Sequence, residues 1–374
     1  MKIALIGPVY PYKGGISHYT GLLYKALVKQ GHEVIIHSFK FQYPKFLYKK
    51  EQKDERNQQF KIKDVNYSIH TANPFNWLVV ASQIKKSNCD LVMLQWWHPY
   101  FAPCYWALGR LLGKRKFLFV CHNVFPHERF PMDRFLARRV LKRGDYFVTQ
   151  SHMDAKDLLS LKPKAHYVVT PHPTYNAFKL QDMSMAGARG LLGIDEGAKI
   201  LLFFGFVREY KGLKYLLEAM PQIVKKISDV QLWVVGDFGN DREVYFNQIE
   251  TLDIKENIKV VEGYIADVEV EKYFAASNLV VLPYISATQS GIVQIAYGFE
   301  KPVLVTNVGG LPDVVINQKT GYVVEAGSAE EIATSVMDFF DNARADKFIE
   351  HIKKEEERFS WDTFVRRVEE LVCF

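Results

Sequence analysis

Residues 286–312 read Ser286-Ala-Thr-Gln-Ser-Gly-Ile-Val-Gln-Ile-Ala-Tyr-Gly-Phe-Glu-Lys-Pro-Val-Leu-Val-Thr-Asn-Val-Gly-Gly-Leu-Pro312. An apolar run of β type, 279–284, precedes them. Thr288, Gln289, Ser290 and Gly291 make a small polar loop, and a helix is expected from Gly291 to about Phe299. Pro302 stops it, and 303–306 is the next buried strand. Strand, loop, helix, strand is the repeat of a parallel sheet. The helix start leaves backbone N–H groups without partners and carries roughly half a positive charge, which suits a phosphate. An ordinary strand-loop-helix connection has the same pattern, so this stretch alone leaves both readings open.

A second stretch, 201–221, reads Leu-Leu-Phe-Phe-Gly-Phe-Val-Arg-Glu-Tyr-Lys-Gly-Leu-Lys-Tyr-Leu-Leu-Glu-Ala-Met-Pro. A buried strand ends at Gly205, a loop delivers Arg208 and Lys211, and an amphipathic helix is expected from Gly212. Cations just past the carboxyl end of a strand stand where open α/β sheets bind ligands. Two loop cations and a helix start, each after a parallel-type strand, suit a diphosphate leaving group.

The same alternation runs outward in both directions. Strands are expected at 3–7, 34–39, 65–70, 91–95, 117–121, 146–150 and 167–170, then at 200–205, 232–236, 258–261, 279–282, 303–306 and 321–324. Pro171-His172-Pro173 interrupts the pattern, and 171–198 reads as an interdomain connection. Ser328 followed by Glu330 and Glu331 is a helix start. A last amphipathic helix begins around Arg358-Phe359-Ser360-Trp361. The 374 residues suit two domains. There is no internal repeat, no low-complexity tract and no apolar run long enough to cross a bilayer. Cys89, Cys104, Cys121 and Cys373 show neither metal-ligand spacing nor a disulfide framework, so a reducing cytoplasm is expected. The net charge of +6 is uneven. Residues 1–175 hold 27 Lys+Arg against 11 Asp+Glu, and the rest hold 21 against 31. A basic half and an acidic half point to different partners for two domains.

The first half offers three clusters at expected strand ends. Gly7-Pro-Val-Tyr-Pro-Tyr-Lys-Gly-Gly15 is not a dinucleotide loop, but Gly14-Gly15 lets backbone approach a ligand before a helix. Gln95-Trp96-Trp97-His98 carries aromatic faces suited to a sugar ring or to the core. Cys121-His122-Asn-Val-Phe-Pro-His127-Glu128 gathers two histidines and a carboxylate without a further ligand cluster, so no metal is expected. Arg129, Arg134, Arg138, Arg139, Lys142 and Arg143 interleave with Phe130, Phe135, Val140 and Leu141. With Lys40, Lys45, Lys49 and Lys50 they could meet an anionic membrane surface, Phe130, Phe135 and Leu141 inserting. No nucleic-acid module accompanies them, so nucleic acid is not an expected partner.

Gly205 with Arg208 and Lys211-Gly212, then Ala287-Thr288-Gln289-Ser290-Gly291, Lys301-Pro302-Val303 and Gly309-Gly310-Leu311-Pro312, resemble in order and spacing the GT-B glycosyltransferases, and among them the retaining family 4, also called group 1. The resemblance implies an α/β fold: two Rossmann-like, doubly wound parallel-sheet domains facing across a cleft. An acceptor-binding domain would span 1–175, a nucleotide-sugar-binding domain 176–355, and a helix at 356–374 would cross back to the first. It implies a hexosyltransferase-type enzyme that takes a nucleoside diphosphate sugar and, with retention, glycosylates a saccharide or lipid-linked acceptor of cell-surface polysaccharide synthesis. The location expected is the cytoplasm or the inner face of the plasma membrane, with no cofactor or metal. The roles implied are catalytic for His122, Arg208 and Lys211. Gly14, Gly15, Thr288, Gln289, Ser290, Gly291 and Ile292 would hold the diphosphate. Gly236, Tyr264, Ile265 and Gln294 would hold the nucleoside, and Trp97, His127 and Glu128 would shape the acceptor side. The chain departs from the family where two glutamates separated by seven residues are usual: these places are Ala287 and Ile295, leaving Gln294 as the nearest polar substitute. The usual arginine after the strand glycine is Phe206, leaving its role to Arg208. An epimerase or hydrolase of the same fold, or a non-catalytic binder, is the alternative.

Overall fold

Runs such as Lys-Ile-Ala-Leu-Ile at the start and Leu-Val-Val-Leu at 279–282 have no polar alternation, as strands covered on both faces require. A computed structural model of the chain describes residues 1–56, 58–126, 130–239 and 241–373. Among these residues the chain forms two compact units, Met1–Pro171 with Phe359–Phe374, and His172–Arg358. Each is built on one parallel sheet, seven-stranded in the first unit and six-stranded in the second.

The first unit contains β1 (Lys2–Ile6), α1 (Gly15–Lys29), β2 (Glu33–Phe41), β3 (Asn66–His70), α2 (Pro74–Lys86), β4 (Leu91–Trp96), α3 (Ala102–Leu111), β5 (Lys116–Cys121), α4 (Asp133–Leu141), β6 (Tyr146–Thr149), α5 (His152–Leu161) and β7 (His166–Val169). The second contains α6 (Met185–Leu192), β8 (Lys199–Phe204), α7 (Leu213–Lys226), β9 (Val230–Gly236), α8 (Arg242–Thr251), β10 (Ile258–Glu262), α9 (Asp267–Ala276), β11 (Leu279–Leu282), α10 (Gly291–Gly298), β12 (Val303–Thr306), α11 (Leu311–Val314), β13 (Gly321–Val324), α12 (Ala329–Asp341) and α13 (Ala345–Lys354). The last helix, α14 (Trp361–Cys373), returns to the first unit. There Lys29 meets Asp362 at 2.7 Å, Arg367 donates to the Val169 carbonyl, and Trp361 packs edge-on against Tyr19.

The strand orders are β3-β2-β1-β4-β5-β6-β7 and β10-β9-β8-β11-β12-β13. Both reverse direction once, between β1 and β4 and between β8 and β11. A crevice opens beyond the carboxyl ends of the strands at such a switch point. One large core in each unit packs helices on the sheet: Phe101, Tyr105, Phe117, Phe119 and Phe147 in the first, Phe203, Leu216, Leu217, Val234 and Phe339 in the second.

Several sequence expectations need correction. Residues 171–198 are not a bare connection: they carry α6, whose N-cap Ser184 accepts from the Gly187 N–H. The units divide after Pro171 and after Arg358. α7 begins at Leu213 and continues through Pro221, while Gly212 is its left-handed N-cap. Leu141 cannot insert into a membrane, because it is wholly buried in the first core.

Candidate functional site

In the second unit, β8 ends against β11, so the loops after these strands share the switch point. Their closeness is enforced at Gly212, whose φ is +67° and where a Cβ would fall 1.9 Å from the Pro283 carbonyl oxygen. The Ile285 N–H donates to the Tyr210 carbonyl at 2.7 Å and ties the two loops together. Lys211 is thereby held inside: its side chain is buried, the residue 9% exposed, and its ammonium lies against Gly205 and 5.3 Å from the centre of the Tyr284 ring. Burial lowers its pKa, and the neighbouring Arg208 guanidinium lowers it further. Neither cation has an ion-pair or hydrogen-bond partner among the described residues.

The second loop approaches the same place. Tyr284 and Ser290 hydroxyls are 3.3 Å apart, and Ser290 Oγ accepts from the Ile292 N–H at 3.3 Å, capping α10. The expected open amide at Ile292 therefore has an internal partner, while the Gly291 N–H has none among the described residues. Thr288 is buried and its carbonyl accepts from the Gly310 N–H. Gly309 has a φ of +54°, and a Cβ there would fall 1.6 Å from the Ala287 oxygen. That contact explains the first of the two glycines before Leu311. Gln289 is half-buried, as are Ile292 and Gly291.

Beside these loops, Gly236 ends β9 and the Gly263 N–H donates to its carbonyl; Tyr264 and Ile265 follow. Gln294 is buried on α10, and its Oε1 has no hydrogen-bond partner among the described residues. Phe206, at the usual place of an arginine, points its ring to the surface.

In the first unit, the β1/β4 switch point opens into a cavity of about 360 Å³. Lys13, Gly14 and Gly15 line one side, with Tyr43, Tyr48, Trp97 and Phe130 among the aromatic walls. Trp97 donates its indole N–H to the Tyr43 hydroxyl at 2.9 Å, and burial raises the Tyr43 pKa. Trp96 differs from its neighbour: it is wholly buried in the core. His98 also lines the cavity, with its Nδ1 accepting from the Tyr100 N–H and its pKa lowered by burial. Thus Gly14, Gly15 and Trp97 share one cavity. His122 does not line it; it is buried, donates through Nε2 to Gln95 Oε1 at 2.7 Å, and meets the Tyr19 ring edge-on. His127 and Glu128 lie outside the described residues. His98 belongs to the Gln95–His98 run that the sequence singles out, whereas Tyr43 and Tyr48 do not stand out in it. In the run 40–50 the four lysines dominate the pattern, and Tyr43 and Tyr48 lie among them.

Among the described residues, no group of three or more His, Cys, Asp or Glu is placed to hold a metal ion. Among the same residues, no helix is long and apolar enough to cross a membrane.

Comparison with known proteins agrees with these two units. Residues 13–174 match Glycosyltransferase Family 4, and residues 188–355 match Glycosyl transferases group 1. The D-inositol 3-phosphate glycosyltransferase of Segniliparus rotundus is 27% identical over 207 residues, which are 54% of this chain and 45% of that protein. The chain thus spans less than half the length of that relative. The N-acetyl-alpha-D-glucosaminyl L-malate synthase of Bacillus anthracis is 26% identical over 354 residues, covering 89% of this chain and 86% of that one. Among solved structures, sucrose-phosphate synthase from Thermosynechococcus elongatus has a TM-score of 0.75 at 19% identity, covering 100% and 98% of the two chains. Anabaena HepE in complex with UDP and glucose has a TM-score of 0.76 at 17% identity, covering 100% and 99%.

Proposed function

The chain belongs to the group 1 glycosyltransferases of family 4, with the GT-B fold, and from that premise we propose that it moves a sugar from a nucleoside diphosphate sugar to a hydroxyl of a saccharide or lipid-linked acceptor, with retention. The observation that carries this reading is the pair of neighbouring cations, Arg208 and Lys211, which have no ion-pair partner among the described residues. Lys211 is buried, and a buried ammonium left unpaired is costly unless a ligand supplies the charge. Two adjacent cations suit the charge of a diphosphate, and the Gly291 N–H at the start of α10 adds a donor.

In the reaction the bond from the anomeric carbon to the diphosphate oxygen breaks as the acceptor oxygen bonds to that carbon. The acceptor hydroxyl proton passes to the departing diphosphate on the same face. Negative charge grows on the diphosphate, so donors already aimed at it act most strongly in the transition state. Each charge-assisted hydrogen bond contributes about 1.5–3 kcal/mol. The aromatic cavity of the first unit, with Trp97, Tyr43 and Tyr48, is suited to the apolar face of an acceptor sugar. The family resemblance assigns a sugar contact to His122, which is buried and fixed by Gln95. Gly236, Tyr264, Ile265 and Gln294 take the nucleoside, and no metal is required. Relatives named for inositol phosphate and for malate as substrates support an acceptor hydroxyl of a polar molecule. Solved relatives holding UDP and UDP-glucose support a nucleoside diphosphate donor.

The test is a panel of nucleoside diphosphates and their sugars, read by calorimetric binding and by release of the diphosphate with and without acceptor extracts. Lys211→Ala should lower kcat about a hundredfold. Turnover like that of the unaltered protein would refute the site. Donor consumption that needs no acceptor would make the chain an epimerase or hydrolase instead.

A further inference from the structure

Two exposed apolar outcrops leave one edge of the first sheet. After β2, Phe46 is 78% and Leu47 40% exposed, among exposed Lys45, Lys49 and Lys50. After β3, α2 presents Phe75, Leu78 and Val79 at 82%, 53% and 54% exposure. Their i, i+3, i+4 spacing puts them on one stripe, away from the buried Val80, Ala81 and Ile84, and the helix ends in exposed Lys85 and Lys86. The two outcrops are joined at their roots. β2 pairs with β3, the Thr71 N–H donates to the Phe41 carbonyl at 3.2 Å, and Thr71 Oγ1 donates to the Gln42 carbonyl at 2.7 Å. Leu47 also lines the aromatic cavity, so the apolar rim is continuous with it.

Scattered apolar residues are ordinary on a surface, but a stripe of three beside a second exposed pair marks an interaction site. Its charge says with what. Segment 40–86 holds ten Lys+Arg and four Asp+Glu, a net +6. An apolar stripe fringed by lysine is the composition of an interfacial membrane surface, whereas the centre of a protein interface is poor in lysine. α4, the expected source of the apolar insertion beside Lys45, Lys49 and Lys50, is less suited. Leu141 is in the core and Phe130 lines the cavity. Arg143 donates to the carbonyls of Gly109, Gly113 and Arg115, and Arg139 stacks on Trp106.

We infer that Phe46, Leu47 and the Phe75–Leu78–Val79 stripe of α2 dock the first unit on an anionic lipid bilayer. The cavity beside Leu47 then meets the headgroup layer, where a lipid-linked acceptor offers its sugar. This rests on the acceptor class proposed above.

The test uses the full chain, sedimented with phosphatidylcholine vesicles with and without phosphatidylglycerol, at low and high salt. The unaltered protein should partition to the anionic vesicles and less so in salt. The combined variant Phe75→Ser, Leu78→Ser, Val79→Ser should partition at least about tenfold more weakly. Lys45→Ser and Lys49→Ser should each cost roughly fivefold. Phe135→Ser on α4 should change nothing. Nucleoside diphosphate binding, measured on the same samples, reports folding and the transferase reading separately. The inference falls if the unaltered protein ignores anionic lipid, or if the triple variant partitions as the unaltered protein does. It also falls if light scattering finds a dimer that the triple variant abolishes, for the stripe would then join two copies of the chain.

Discussion

Lys211→Met should make the ligand-free protein more stable and the liganded protein less so. Lys211 is only 9% exposed, and burial is the first cause of its lowered pKa. An ion so placed costs several kcal/mol of folding free energy. The Tyr284 ring, 5.3 Å away, returns about 1–2 kcal/mol. Methionine keeps the stem and a favourable contact with the ring while removing the charge. The net gain is about 1–3 kcal/mol, or roughly 3–10 °C for a unit the size of 172–358. A nucleoside diphosphate at a hundred times its Kd stabilises the unaltered protein by about 2.7 kcal/mol. The variant, lacking one charge-assisted bond of about 1.5–3 kcal/mol, gains far less. Melting curves with and without ligand should therefore cross. The sign with pH follows as well: a depressed folded pKa means that the unfolded chain binds more protons between the two pKa values, so the unaltered protein gains stability as pH rises through that window and the gap to Lys211→Met closes. A variant that melts below the unaltered protein without ligand, or that gains the same shift with it, would refute the reasoning.

Gly309→Ala should lower kcat/KM for the donor at least about tenfold and cost roughly 2–3 kcal/mol in denaturant unfolding, because its Cβ would fall 1.6 Å from the Ala287 oxygen at a positive φ. Activity should persist in excess EDTA, since the proposed clamp uses Arg208, Lys211 and an amide; loss on chelation with recovery in Mg²⁺ or Mn²⁺ would overturn that. Asp154 gives a pH signature. Burial raises its pKa to about 7, while Ser151 Oγ and the Val124 N–H donate to it. The native state thus holds a proton that the unfolded chain releases above about pH 4, so stability is full below that pH and is lost as pH climbs through about 7. Asp154→Asn should flatten the urea midpoint across that range, and an unchanged slope would count against it.

Much of this was legible locally. The thirteen strands fall close to the expected runs because strands covered on both faces must be apolar throughout, whatever their partners. Arg208, Lys211 and the loop 288–291 were legible because each follows such a strand and precedes a helix. His122 was legible as a position, but its burial and its bond to Gln95 were not, since Gln95 is 27 residues away. Leu141 looked available among arginines, yet α4 turns it into the core while Arg138 and Phe135 stay outside. A charge run states composition without saying which side faces water.

By itself, then, the amino-acid order determined what depends on near neighbours: strand and helix positions, the helix starts, the basic and acidic halves, and the loops able to approach an anion. The tertiary structure decided what depends on pairing between distant segments. Strand order brings 205–211 beside 283–291, where two cations have no ion-pair partner among the described residues; it also brings Lys13 and Gly14 beside Tyr43 and Trp97 around one cavity. Local periodicity is set by backbone geometry within a few residues, whereas the partner of a strand edge and the neutralisation of a charge are settled only when the sheet closes and water is excluded.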